Sequence, residues 1–340
     1  MPLTKNLKTH EETSLQNRLD LAIYNNNTQV LQEYPQELVA NRQQKLQEYR
    51  NKLAILQSFP LIKQRSPEWF ELRKNRLTAS DLDDAIKENN LSLAKKKAGV
   101  VKDNTNYNGI AALKWGVMYE PMATRCYSQM HQNIPVSEFG LIPDNSLEHF
   151  GASPDGINDL GIMIEIKCPY SREIIDGNIL EKYYMQIQGQ LAVCGLEECD
   201  FIECKFIEYD SVYKYIDIHD NTNIMHGIIA QYKNVVTGEY TYLYSEPFLK
   251  ASHALNDINR QVYAMDNSIS NSNTQLQFLK LTPWSLEKMN VQRIGFDAQL
   301  WRETVPKINK FWEKVEECKN LPIEEPIAKR KKYVFIPEDD

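Results

Sequence analysis

Residues 151–170 read GASPDGINDLGIMIEIKCPY. From Gly161 onward the run is almost wholly apolar until Glu165, and its crowding of Ile and Met suits a strand buried on both faces of a sheet. Residues two apart on a strand point the same way, so Glu165 and Lys167 share one face while Ile166 turns to the other. Asp155 follows Ser-Pro and precedes Gly. That turn composition feeds a second strand and lets the Asp155 carboxylate meet Glu165 across a short hairpin. Two carboxylates and a backbone carbonyl make an all-oxygen donor set, which Mg²⁺ accepts while keeping several waters for a substrate. An ion so held can polarise a phosphodiester, lower the pKa of a bound water and neutralise the leaving oxygen. Lys167 would then orient or help deprotonate the attacking water and stabilise the pentavalent charge.

An E-x-K pair on a strand is common and by itself reads as a structural ion pair. Two features argue otherwise. The apolar flanks make the pair costly, since a buried ion loses several kcal/mol of solvation, and S-P-D-G stands at the distance a hairpin partner needs.

S-P-D-G followed by I-E-I-K-C-P resembles the PD-(D/E)xK signature of the phage lambda exonuclease family, also called the YqaJ viral recombinase family, in the form carried by alkaline nucleases of large DNA viruses. Three further segments agree, in the family's order. Residues 66–81, SPEWFELRKNRLTASD, resemble its N-terminal motif of an aromatic, a Leu-Arg pair and a Thr-Ala-Ser turn. Residues 115–120, WGVMYE, resemble a helical motif ending in Glu, and residues 183–190, YYMQIQGQ, resemble the Gln-bearing helix after the active-site strand. The resemblance runs from about Gln64 to Ile207, less than half of the chain.

The resemblance implies a restriction-endonuclease-like α/β core, a central mixed sheet flanked by helices. Asp155 and Glu165 are then metal ligands, with the Ile166 carbonyl as the third, and Lys167 is the catalytic lysine. Glu120 lies near the metals on a neighbouring helix. Gln186 touches the nucleophilic water or a phosphate, and Gln190 faces the DNA one turn later. Arg73 and Ser80 grip the terminal 5′-phosphate, with Arg76 as a second candidate; an Arg fork and a hydroxyl near a helix N-terminus suit a phosphate chemically. T-A-S-D-L also reads as a helix start capped by Ser80 or Thr78. Asp144 and Glu138 are accessory candidates upstream. The cofactor expected is Mg²⁺, with Mn²⁺ able to substitute. The partners expected are double-stranded DNA ends, with a single-strand annealing protein and a homo-oligomer left open; the phage relative works as a ring-shaped trimer.

The whole-chain quantities agree and discriminate less. The chain has 340 residues, 42% hydrophobic and 25% charged, a composition expected of a globular protein with a sizeable core. No stretch approaches the roughly 18–20 apolar residues of a membrane span, and MPLTKNLKTHEET lacks the apolar core of a signal peptide. The expectation is an intracellular protein, in host cytoplasm or nucleus if viral. A net charge of −7 speaks against coating nucleic acid through the overall field. Local basic clusters such as Lys95, Lys96 and Lys97 remain candidates for phosphate contact, beside the plainer reading of a solvated face. Cys194, Cys199 and Cys204 recur at five-residue intervals without any C-x-x-C, which argues against an iron–sulfur cluster.

Along the chain, residues 1–58 read as a helical lead-in and 59–250 as the nuclease core. Residues 251–340 read as a loop around DNSISNSNTQ, an amphipathic helix through Trp301, Ile308 and Phe311 that Pro306 should kink, and a polar tail. The Lys329 to Lys332 cluster in that tail fits an import signal or plain solvated charge. The reading is a Mg²⁺-dependent 5′-to-3′ exonuclease on double-stranded DNA, in viral or phage-type recombination and replication-intermediate processing. An endonuclease or structure-specific nuclease is the alternative within the class. A catalytically inactive DNA-binding or scaffold protein, and a phosphodiesterase on small substrates, stand outside it.

Overall fold

The computed structural model describes residues 5–64, 66–101, 110–247, 249–271 and 275–323. Helices α1 (His10–Tyr24), α2 (Thr28–Leu31) and α3 (Gln36–Gln57) lead into α4 (Pro67–Lys74), α5 (Leu82–Ala85), α6 (Leu91–Lys97) and the long α7 (Ala111–Met130). After them, α8 (Glu181–Cys194), α9 (Val212–His219), α10 (Ala251–Ser270) and α11 (Ala298–Cys318) alternate with strands. The strands are β1 (Leu77–Thr78), β2 (Val136–Ser137), β3 (Ile142–Pro143), β4 (Phe150–Ala152), β5 (Gly156–Asn158), β6 (Met163–Lys167), β7 (Glu198–Glu208), β8 (His226–Asn234), β9 (Tyr240–Tyr244) and β10 (Leu276–Gly295).

Among the described residues, seven strands form the main sheet in the order β2-β5-β6-β7-β10-β8-β9, and β1, β4 and β3 form a small second one. β6 and β7 run parallel, joined by α8 in a β-α-β unit, while every other pair in the main sheet is antiparallel. Helices cover both faces, the mixed α/β architecture that the resemblance implied. On one face Met163, Phe201, Ile187, Leu191 and Phe311 pack together, drawing on β6, β7, α8 and α11. On the other, Ile164, Ile166 and Ile202 meet Leu46 and Tyr49 of α3 and Tyr119 and Tyr127 of α7. Each fully buried Ile or Leu contributes about 1.5–3 kcal/mol of transfer free energy.

The β5–β6 hairpin that carries the candidate carboxylates is fixed at its turn. Asn158 Oδ1 accepts from the amides of Leu160 and Ile162 at 3.0 and 3.1 Å. Gly161 adopts φ +77°, and a Cβ there would lie 2.5 Å from the Tyr49 carbonyl carbon, so only glycine lets the turn press against α3.

Two elements depart from the sequence reading. The segment expected to be a loop is helical through Ser270: Ala251, Leu255, Ile258, Val262, Met265 and Ile269 recur at helical spacing and pack against β8. More consequentially, residues 276–295 form a 20-residue strand that pairs with β8 along its first half and β7 along its second. Residues C-terminal to 250 therefore build the middle of the sheet, and Leu19, Ile23, Leu46 and Tyr49 from the first 58 residues line its core. The hydrophobic interior does not break at either position. Pro306 lies inside α11 without ending it, and Ile308, Phe311, Trp312 and Val315 of its apolar stripe are core residues. The Lys329 to Lys332 cluster lies outside the described residues.

Candidate active site

β6 delivers Glu165 and Lys167 to the face covered by α8, as the two-residue period requires. Glu165 is fully buried, and its carboxylate is held from several sides. Lys167 Nζ donates to Oε1. Gln186 Nε2 also donates to Oε1, at 2.6 Å, and Gln190 Nε2 donates to Oε2 at 2.8 Å. The two glutamines stand one helical turn apart on α8, so a single helix face grips both oxygens. Asp155 precedes β5 across the hairpin. Its Oδ2 accepts from the Ile166 amide at 2.7 Å, which ties the turn to the strand carrying Glu165.

Electrostatics distinguish the two carboxyls' surroundings from an ordinary ion pair. Burial pushes the Asp155 carboxyl well above the usual carboxylate range, and the negative charges of Glu165 and of Glu120 on α7 push it further. Lys167 and the Ile166 amide oppose that rise without cancelling it. Burial would depress the Lys167 ammonium, but Glu165 and Asp155 outweigh it and hold the group above its ordinary value. Acid charge thus exceeds the single lysine that neutralises it. A divalent cation would relieve that excess, and the donors are all oxygen, as Mg²⁺ or Mn²⁺ demands. Among the described residues no group of three or more His, Cys, Asp or Glu side chains is arranged around one ion position. Asp155, Glu165 and the Ile166 carbonyl are the oxygen donors that could hold such an ion, with water or phosphate completing its shell.

The second candidate cluster lies on α4 and the turn after β1. Arg73 Nη2 donates to Thr78 Oγ1 and to Ser80 Oγ, both at 3.3 Å, and its guanidinium stacks on Trp69 at 4.3 Å from the ring centroid. Trp69 Nε1 donates to Ser153 Oγ at 3.1 Å, and Gln64 Nε2 reaches the Pro154 carbonyl at 3.2 Å. These bonds couple the Arg73 cluster to the S-P-D-G loop. Neither Trp69, Ser153 nor Gln64 was singled out as a site residue by spacing, although Trp69 is the aromatic of the SPEWFELRK motif.

Other candidates take structural roles. Gln190 is 1% exposed and bonded to Glu165, so it orients the carboxylate and does not reach DNA. Gln186 likewise spends its amide on Glu165. Arg76 donates to the Leu72 carbonyl, and its Nε is buried without a partner among the described residues. Asp144 accepts from the Ser146 and Leu147 amides, closing a turn rather than joining the centre, and Glu138 is exposed. Thr78 and Ser80 make no capping bond to the helical turn that follows; their hydroxyls bond each other, Arg73 and Asp81. Lys97 is committed to Asp81 at 2.9 Å and is mostly buried, so the 95–97 run is no uniform basic face. All six cysteines are free, with Cys194 ending α8 and Cys199 and Cys204 inside β7. Burial pushes the Cys126 and Cys194 thiols up to about 12.

Residues 68–197 match the profile of the YqaJ-like viral recombinase domain. Arg73, Ser80, Glu120, Asp155, Glu165, Lys167, Gln186 and Gln190 all fall within the matched segment. Over 339 aligned residues the chain is 25% identical to an uncharacterized protein of Acanthamoeba polyphaga mimivirus, covering 88% of this chain and 60% of that protein. The chain therefore spans about 60% of the length of that relative. Among solved structures, an alkaline exonuclease from Laribacter hongkongensis is 20% identical, with 74% of this chain and 93% of that one covered and a TM-score of 0.43. A phage-related exonuclease from Haemophilus somnus is 10% identical over 72% of this chain and 93% of that one, with a TM-score of 0.36.

Proposed function

We propose that the chain is a Mg²⁺-dependent deoxyribonuclease that degrades double-stranded DNA from its ends in the 5′-to-3′ direction. The observation that carries this reading is the clustering of Asp155, Glu165 and Lys167 on one hairpin inside a YqaJ-like domain, with acid in excess of base. A bound divalent ion would polarise the scissile phosphodiester and acidify its water. The chain's own part is positional. The Ile166 amide fixes Asp155, Gln186 and Gln190 fix Glu165, and the Lys167 ammonium, about a quarter exposed, faces the charge that builds on phosphorus. Arg73 with Ser80 and Thr78 supplies a charged fork and hydroxyls for a terminal phosphate, which supports action from a 5′ end. The match to a viral recombinase profile supports a role in recombination or replication-intermediate processing, and the viral relative supports a setting within a host cell.

The reading is tested by incubating purified protein with linear and with covalently closed duplex DNA, with Mg²⁺ and with EDTA. Degradation of linear duplex alone, and only with Mg²⁺, is expected. Nicking of the closed circle at a comparable rate would replace the exonuclease reading by an endonuclease one.

A further inference from the structure

β6 and β7 are paired in parallel with Lys167 directly opposite Glu203, so the two side chains leave the same face of the sheet about 4.8 Å apart at the backbone. Glu203 is 1% exposed. Its Oε1 accepts from Arg172 Nη2 at 2.5 Å, while its Oε2 is buried without a hydrogen-bond partner among the described residues. A buried carboxylate oxygen left without a donor is expensive, and native proteins rarely keep one without cause. Lys167 and Arg172 both approach the Tyr183 ring, at 5.1 and 6.0 Å from its centroid, which places the Glu203 carboxylate and the lysine in one compartment under α8.

Lys167 has a conflict to resolve there. Glu165 Oε1 already serves Lys167 and Gln186, and a carboxylate oxygen offers about two acceptor positions. A dication bound at Glu165 would compete with the ammonium for that oxygen and repel it from close range. The orphan oxygen across the strand pair is the vacant acceptor at hand.

We propose that Glu203 is a positioning residue for Lys167: its vacant oxygen receives the ammonium when a divalent cation takes Glu165, and so sets how readily the centre accepts the ion. The inference rests on the metal-centre reading above and assigns Glu203, with Arg172 as its partner, to the lysine's second seat. Arg172 competes for the same carboxylate, so it holds Glu203 partly neutralised until the lysine arrives.

The test is Mn²⁺ binding to the full chain without DNA, read by calorimetry or by water-proton relaxation. Glu203→Gln should weaken Mn²⁺ binding about tenfold, the worth of one charge-assisted hydrogen bond. Arg172→Met, which leaves Glu203 wholly to the lysine, should tighten it about threefold. In a Lys167→Met background, where no ammonium needs rehousing, both changes should leave the Mn²⁺ affinity within about twofold. A merely structural Glu203 would lower the melting temperature with no such dependence on Lys167. Equal affinity in wild type and Glu203→Gln, or the same weakening with and without Lys167, overturns the proposal. Should Glu203→Gln fail to fold, unchanged or weaker binding in Arg172→Met overturns it. Wild-type protein that binds no Mn²⁺ would refute the metal centre and this inference together, an outcome distinct from binding that ignores Glu203.

Discussion

The sheet buries charge at two places, and they are built to opposite rules. At the start of β7, Asp20, Glu198 and Asp200 surround Arg42 and Arg293. Arg42 bonds both Asp20 and Glu198 at 2.6–2.8 Å, and Arg293 bonds Asp200 at 2.6 Å, Glu198 at 2.7 Å and Asp20 at 3.1 Å. Burial alone would raise the acids, yet the arginines outweigh it and hold Glu198 and Asp200 below the usual carboxylate range. At the hairpin the acids outnumber their base, and Asp155 is driven the other way. Planar guanidinium forks satisfy several carboxylates at once and lock them. A lone, partly exposed lysine leaves charge to be met by something from outside. The first cluster joins α1, α3, β7 and β10; the second leaves its acids in excess of the base beside them.

This contrast is broken or sharpened by a graded set of variants. The largest effect is expected at the hairpin: Asp155→Ala or Glu165→Ala should lower Mg²⁺-dependent degradation of linear DNA by about 10³-fold or more, several kcal/mol of barrier. The melting temperature should not fall in Asp155→Ala, whereas Glu165→Ala strips Lys167, Gln186 and Gln190 of their acceptor and should lower it. Activity near wild type in either variant would dissolve the assigned centre. Next, Arg293→Met leaves three buried acids short of a partner and should cost about 3–5 kcal/mol by urea unfolding. The activity per folded molecule should stay close to wild type. A Arg293→Met protein as stable as the parent would show that the β7 cluster is not a structural clamp.

A smaller change is expected at the DNA end. Arg73→Ala should erase a preference of about tenfold for 5′-phosphorylated over 5′-hydroxyl duplex ends, since a dianionic phosphate gains charge-assisted bonds that a hydroxyl cannot make. Rates must be compared at one salt concentration, because backbone affinity falls steeply with ionic strength. Equal wild-type rates on the two ends would make this cluster structural.

The finest distinction concerns acid–base linkage. Glu198 and Asp200 have depressed carboxyls in the fold, so they stabilise it at pH values above the ordinary carboxylate range near 4, and that contribution is lost as pH falls through their folded values. Asp155 has the opposite sign. Its raised carboxyl favours the fold when protonated and disfavours it as pH rises through the folded value. In EDTA at pH 8, Asp155→Asn should therefore raise the melting temperature, by about 2 °C for roughly 1 kcal/mol. A lowered melting temperature would mean that the hairpin stores no repulsion.

The site was legible where short-range geometry decides. Residues 155, 165 and 167 lie within one hairpin, so a strand period and a turn composition suffice to bring them together. α11 follows from helical periodicity, and α7 and α8 from the resemblance carried by WGVMYE and YYMQIQGQ. β10 was hidden because its polar residues are explained only by distant partners: Arg293 is buried in the β7 cluster, and Gln292 donates to the Lys8 carbonyl. Bulges at Phe278/Lys280 and Leu286/Lys288 also shift the alternation that would betray a strand. α10 was missed for a different reason, since Asn and Ser in its last turns suggest a loop while its apolar stripe onto β8 overrides them. Glu203 is unremarkable in sequence. Its meaning arises from the register that sets it opposite Lys167.

The central position of β10 bears on the order in which the chain can be assembled. Strands β7 and β8 are complete by residue 234, but neither gains its shared neighbour until residues 276–295 have been made. At about 5–20 residues per second of synthesis, their facing edges wait for several seconds with backbone donors and acceptors unpaired. The hairpin with its acids is local and can close early, whereas the wall that carries Glu203 stays half-paired until that late strand arrives. The wall beside the candidate site is thus completed by a segment lying more than a hundred residues downstream of Lys167, and the far edge of the strand that carries Glu203 stays unpaired until that segment has emerged.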